Sequence, residues 1–129
     1  MSQKSNKFLT YVILFNGLGD LVIGILLTSL FPFMAQNLDF VYSEQMWFLG
    51  GGWGIAALSY AFLRFYCFNK PKYHHLMLIF GLIEGSALVL YTLAMFFFTE
   101  LTFEQISVTL LFSFVFTLLY LFAYGKDQH

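Results

Sequence analysis

A chain of 129 residues is long enough for one domain, but with 60% hydrophobic and only 10% charged residues it is too apolar for a water-facing surface; an ordinary soluble domain carries about 25% charge. A net charge of −1, with no basic cluster interleaved with aromatic residues, gives no ground for a nucleic-acid partner. Cys67 is the one cysteine, which excludes an intramolecular disulfide, a paired-cysteine redox motif and a thiolate metal site.

The hydrophobicity falls into four blocks, 8–31, 46–65, 76–98 and 106–124. Each is about 19–24 residues, the length of helix that crosses a ~30 Å hydrocarbon core. The fold class expected is therefore all-α, a four-helix integral membrane bundle forming a single domain over 1–129. The first block follows Lys4 and Lys7 in the manner of a secretory signal. Its length, the acid Asp20 in its middle and the lack of a small-residue cleavage site favour a retained helix.

Pro32 is expected to end the first helix, because proline biases its predecessor away from helical geometry. Residues 33–43 then form an outer loop whose Phe33, Met34, Leu38, Phe40, Val41 and Tyr42 suit the membrane interface. Ser43 is an N-cap candidate for the second helix, with Glu44 favourable at its positive end. Asn69-Lys70-Pro71-Lys72 reads as a tight turn. Thr102 and Gln105 have the spacing of a capping box opening the fourth helix.

All six basic residues, Lys4, Lys7, Arg64, Lys70, Lys72 and Lys126, lie on one side of this four-span layout. The opposite side carries Asp39, Glu44, Glu100 and Glu104. By the positive-inside rule both termini are expected in the cytoplasm.

Asp20 and Glu84 are the residues least suited to lipid. An acid at the centre of a spanning helix costs about 2.5–3.5 kcal/mol, so it faces protein or water. Counting inward from the basic ends places them ~20 Å and ~14 Å deep, close enough to share a level. Asn16 lies one turn below Asp20. On the fourth helix Thr109, Ser113, Thr117, Tyr120 and Tyr124 form one polar stripe, and on the second Trp53 and Tyr60 share a face ending at Arg64. A polar, ligand-binding cluster is thus expected from Asp20, Glu84, Asn16, Trp53, Tyr60, Ser113 and Thr117. Arg64, near the end of its helix, is expected to snorkel outward, leaving the two acids without a countercharge inside the membrane.

The small residues Gly50, Gly54, Ala57 and Ala61, Gly81 and Gly85, and Gly17 and Gly24 are read as close-packing positions between helices. Gly50-Gly51-Gly52 could also open a pocket near the outer surface. Asn16-Gly17-Leu18-Gly19-Asp20 and Gly81-Leu82-Ile83-Glu84 echo one another, a glycine preceding each acid by three residues. His74 and His75 point to different sides of a helix and His129 is terminal, so they read as interfacial residues and not as metal ligands. No nucleophile–base pair or phosphate-cradling loop is present, so nothing positive supports an enzyme, and the sequence names no cofactor.

Gly50-Gly51-Gly52-Trp53-Gly54 and Gly81-Leu82-Ile83-Glu84-Gly85, within a four-span layout covering nearly the whole chain, resemble the DoxX-like group of small bacterial four-helix membrane proteins. That resemblance implies a bacterial inner-membrane bundle, in some members linked to quinone or thiol redox systems; Cys67 alone does not make a thiol pair. The acid in the first helix is also similar to that of small multidrug resistance transporters, from which Glu84 and the one-sided charge depart. Two functions are expected as alternatives. One is binding of a lipid-like or quinone-like molecule at the acid-centred cluster, or docking as an accessory subunit of a larger membrane complex. The other is proton-coupled transport of hydrophobic cations by a homo-oligomer, motivated by acids without a countercharge.

Overall fold

A computed structural model describes residues 6–127, so Lys4 and His129 of the sequence reading lie outside the described residues. The described elements are all helical. They are α1 (Lys7–Ser29), the short α2 (Phe31–Asn37), α3 (Glu44–Cys67), a 3₁₀ turn (Pro71–Tyr73), α4 (His74–Phe98) and α5 (Phe103–Asp127). Four of them, α1, α3, α4 and α5, are long and apolar enough to span a membrane. Their outward faces carry Phe15, Val22, Phe48, Phe62, Ile83, Leu90 and Leu111, a surface that water would not tolerate and lipid does.

The ends of the helices follow local chemistry. The Asn6 side chain accepts from the Leu9 amide at 3.3 Å to open α1. Ser43 caps α3 as expected, its Oγ accepting from the Met46 amide at 3.1 Å. The capping box forms: the Thr102 amide donates to Gln105 Oε1 at 3.0 Å and the Gln105 amide to Thr102 Oγ1 at 3.4 Å. Gln105 Nε2 then donates to the Asp39 carbonyl at 2.8 Å, tying the loop after α2 to the start of α5. Asp39 itself takes a positive φ of 57°, one that short polar side chains tolerate.

One expectation needs correcting here. Residues 33–43 are not all loop, because Pro32 opens a helix as well as closing one. Leu30 ends α1 and begins α2, with Pro32 in the first turn, where its missing N–H is no loss. Phe31 and Ala35 of α2 are buried. A Cβ at Gly50 would come within 2.5 Å of the Phe31 ring, so this glycine makes room for α2 to fold back on α3.

The bundle is built as two pairs. α1 packs along α3 and α4 along α5, while contacts between the pairs are few. Glycines set the intimacy of each pair. At Gly24 and Gly54 the backbones of α1 and α3 nearly touch: a Cβ on either would lie 3.0 Å from the carbonyl oxygen of the other. On the other pair, Gly81 accommodates the Tyr120 ring and Gly85 the Thr117 hydroxyl. Apolar burial gives no drive in lipid, so such close approach is what dispersion needs.

A buried core of Leu9, Val12, Ile13, Cys67, Met77, Leu78, Tyr120 and Ala123 draws residues from all four long helices. It lies toward the end that bears both described termini, where Phe8 packs edge-on to Phe122 at 5.3 Å and Lys126 Nζ lies 5.0 Å from the Phe8 ring. Cys67 is an apolar filler there.

Gly54→Ala, which puts a methyl against Leu27, Thr28 and the Gly24 carbonyl, is expected to lower stability by about 1–3 kcal/mol. Gly52→Ala has nothing within 4 Å of the new methyl and should be neutral or stabilising by up to about 1 kcal/mol. Unfolding of the two variants in mixed micelles, followed by far-UV circular dichroism, tests the contrast.

Candidate functional site

Arg64 does not snorkel to water. It is fully buried, with a side-chain exposure of 0%, and it points along the bundle interior. One Nη donates to Asp20 of α1 and the other to Glu84 of α4, both as direct ion pairs. The expected absence of a countercharge is therefore overturned. The reason is one of register. Arg64 stands one turn from the end of α3, but its Cβ is 3.2 Å from where a Gly17 Cβ would be, and Gly17 is ten residues, ~15 Å, into α1. The side chain then reaches further inward because two carboxylates are there to receive it, which outweighs extension through apolar surroundings toward distant water.

The remaining donors of Arg64 are met by Asn16. With its amide oriented to suit these donors, the Asn16 oxygen accepts from Arg64 Nε and Nη2, each at 3.1 Å, and from the Tyr120 hydroxyl at 3.0 Å. Phe80, one turn before Glu84 on α4, lies under the guanidinium, its ring centre 5.2 Å from Arg64 Cζ. Tyr60, one turn before Arg64 on α3, packs edge-on to Phe80 at 5.3 Å. Each long helix thus contributes: Asn16 and Asp20 from α1, Arg64 from α3, Phe80 and Glu84 from α4, Tyr120 from α5.

The glycine–acid echo in the sequence has a structural counterpart. Gly17, three residues before Asp20, is crowded by Arg64 and Phe65 of its hairpin partner α3, and Gly81, three residues before Glu84, by Tyr120 of its partner α5. In both hairpins the glycine admits a large polar side chain beside the acid.

The seven residues expected at the site divide clearly. Asp20, Glu84 and Asn16 come together, the two acids at one depth because they share one guanidinium. Neither acid hydrogen-bonds Asn16, Trp53, Tyr60, Ser113 or Thr117 among the described residues; Arg64 takes that role. Trp53 is 71% exposed and faces outward, since Gly54 and Ala61 hold the buried side of α3. Ser113 is buried, but its hydroxyl donates to the Thr109 carbonyl of its own helix at 2.7 Å, and Thr117 donates likewise to Ser113 at 2.7 Å. Their stripe is a packing surface for Gly85. Tyr120, from the same stripe, is the member that joins the cluster.

Asp20 and Glu84 are not enclosed alike. The Asp20 side chain is 7% exposed and that of Glu84 21%, so the cluster is closed behind Asp20 and open at Glu84. His74 is remote from it, with Nε2 2.8 Å from the Phe68 carbonyl at the turn into α4.

No family model matches the chain. Neither does a curated protein or a solved structure.

Replacing Arg64 with Met is expected to cost about 3–5 kcal/mol, because two acids remain buried without a partner. Adding Asp20→Asn and Glu84→Gln to Arg64→Met should recover much of that loss. Equal stability of the single and triple variants in a micelle unfolding assay would mean that the acids do not depend on Arg64.

Proposed function

We propose that the protein is a small membrane binding protein that takes a lipid-like or quinone-like amphiphile at Glu84. The observation that carries this reading is the 21% exposure of the Glu84 side chain ten residues into α4, at a depth of ~15 Å along a spanning helix. A carboxylate open at that depth has no hydrocarbon partner, so a polar head group reaching in from the bilayer is the natural complement. The aromatic pair Tyr60 and Phe80 beside the cluster supplies apolar walls suited to the body of such a molecule. The transport alternative is weakened, because Arg64 supplies one countercharge to the two acids whose lack of any suggested it.

The setting proposed is a bacterial inner membrane with both termini in the cytoplasm. Lys7, Lys70, Lys72 and Lys126 stand at the end that carries the termini, while Asp39, Glu44, Glu100 and Glu104 stand in the opposite loops and helix starts. Kinship with the DoxX-like group belongs to the same proposal. Its two motifs supply Gly54, in the α1–α3 contact, and Gly81, Glu84 and Gly85, at and beside the cluster.

A photoreactive benzoquinone and a diazirine phospholipid, each reconstituted with the protein, test the reading. Labelling by at least one of the two should concentrate on the α3 and α4 segments bearing Tyr60, Arg64 and Glu84 and should be displaced by its unreactive parent compound. Labelling spread evenly over the lipid-facing surface, and indifferent to competitor, would contradict it. Fusing alkaline phosphatase to the C-terminus should give an inactive reporter and fusing it after Leu101 an active one; the reverse pattern would invert the orientation.

A further inference from the structure

The charge of the cluster narrows what it can bind. One guanidinium stands against two carboxylates, so with all three ionised one negative charge is left over. Among the described residues no other lysine or arginine is near enough to balance it. Lys70 lies over the Tyr66 ring at 3.0 Å, Lys72 beside Tyr73 at 4.7 Å, and Lys126 between Phe8 and Phe122, all at the end that carries the termini; Lys7 opens α1 at that same end. The remaining ionisable side chain joined to the cluster, Tyr120, is hydrogen-bonded to Asn16 and brings no positive charge. An uncompensated charge in low dielectric costs several kcal/mol, and either a proton on one acid or a cationic partner removes it.

The hydrogen-bond inventory points the same way. Arg64 spends its donors on Asp20, Glu84 and Asn16. Glu84 receives Arg64 on one oxygen, Oε2, and an ionised carboxylate has acceptor capacity for about four partners. Its other oxygen has no donor among the described residues, and a donor carrying positive charge would serve those lone pairs and offset a surplus negative charge together. A quinone ring offers acceptors only, and an alcohol offers a donor without charge. An ammonium group offers both.

We propose that the head group held at Glu84 is a protonated amine, carried by an amphiphile whose chain stays in the bilayer. This rests on the binding role proposed above and deepens it by naming the ligand's chemistry. The ammonium donates to the free lone pairs of Glu84 from the lipid side, opposite Arg64. Glu84 is then held between two cations, and the cluster as a whole becomes neutral. Asp20, enclosed and paired with Arg64 alone, fixes the guanidinium and does not touch the ligand. An aminophospholipid head and a free lipophilic amine share this chemistry.

Saturation binding of tritiated decylamine to the protein in phosphatidylcholine nanodiscs tests it, with decanol and a short-chain benzoquinone as uncharged comparators. Decylamine should bind at one saturable site, about tenfold or more tighter than decanol. Glu84→Gln should lose that advantage and Glu84→Asp keep most of it. The comparison of decylamine with decanol on the unaltered protein needs no variant to fold. Competition by phosphatidylethanolamine in the disc would assign the amine to a lipid head, and its failure to compete would assign it to a free amine; both outcomes sustain the proposal. Decanol or the benzoquinone binding as tightly as decylamine, with dependence on Glu84, would overturn the amine while leaving the binding site in place. If no probe saturates, the binding role falls with it.

Discussion

A guanidinium cannot stay in hydrocarbon without partners, and this constraint organises the bundle. Arg64, Asp20 and Glu84 would each cost about 2.5–3.5 kcal/mol to bury alone, so three unpaired groups would cost roughly 8–10 kcal/mol. An ordinary interhelical hydrogen bond in a membrane returns only about 0.6 kcal/mol. Scattered polar contacts therefore could not stabilise these residues. Meeting at one point, where two ion pairs and the Asn16 amide surround a single guanidinium, offsets that cost.

The position of that meeting point matters because the two helix pairs otherwise touch little. The α1–α3 contact is a matter of backbone proximity at Gly24 and Gly54, and the α4–α5 contact one of Gly81 and Gly85 admitting Tyr120 and Thr117. Neither mechanism joins one pair to the other. Arg64 belongs to the first pair and Glu84 to the second, so their bond crosses the seam, as does the hydrogen bond between Asn16 and Tyr120. Toward the termini the shared apolar core from Leu9 to Ala123 adds to it. One side chain thus joins the pairs, and it meets Glu84 on a single oxygen while the Glu84 side chain stays 21% exposed.

Much of this was legible in the sequence, for identifiable reasons. Block length gave the four spans, and Ser43, Thr102 and Gln105 marked helix starts that the structure confirms. Insertion cost alone singled out Asp20 and Glu84. Arg64 was not legible, because a cation three residues from a helix end usually extends toward water, and only the register of α3 against Gly17 places it deep. Trp53 shares helical spacing with Tyr60, which packs on Phe80 beside the cluster, yet the buried face of α3 is set by Gly54 and Ala61 and leaves Trp53 outside, which no periodicity of polar residues reveals. Pro32 was ambiguous in principle, since proline fits both just beyond one helix and in the first turn of the next. The hydroxyls of Ser113 and Thr117 had a partner within their own helix, a choice that spacing cannot distinguish from bonding across the bundle.

The account rests on where one side chain points, and the chain makes that measurable, because Arg64 is the only arginine in the sequence. Guanidinium nitrogens labelled with ¹⁵N give a single site, free of overlap, in protein reconstituted into bilayers. Rotational-echo solid-state NMR against ¹³C-labelled aspartate and glutamate carboxyl carbons should show strong dephasing by one carbon of each type, within about 4 Å, the reach of a direct ion pair. Dephasing by aspartate should vanish in Asp20→Asn and dephasing by glutamate in Glu84→Gln. A guanidinium that shows no carboxyl contact, or that exchanges polarisation with bulk water, would contradict the account.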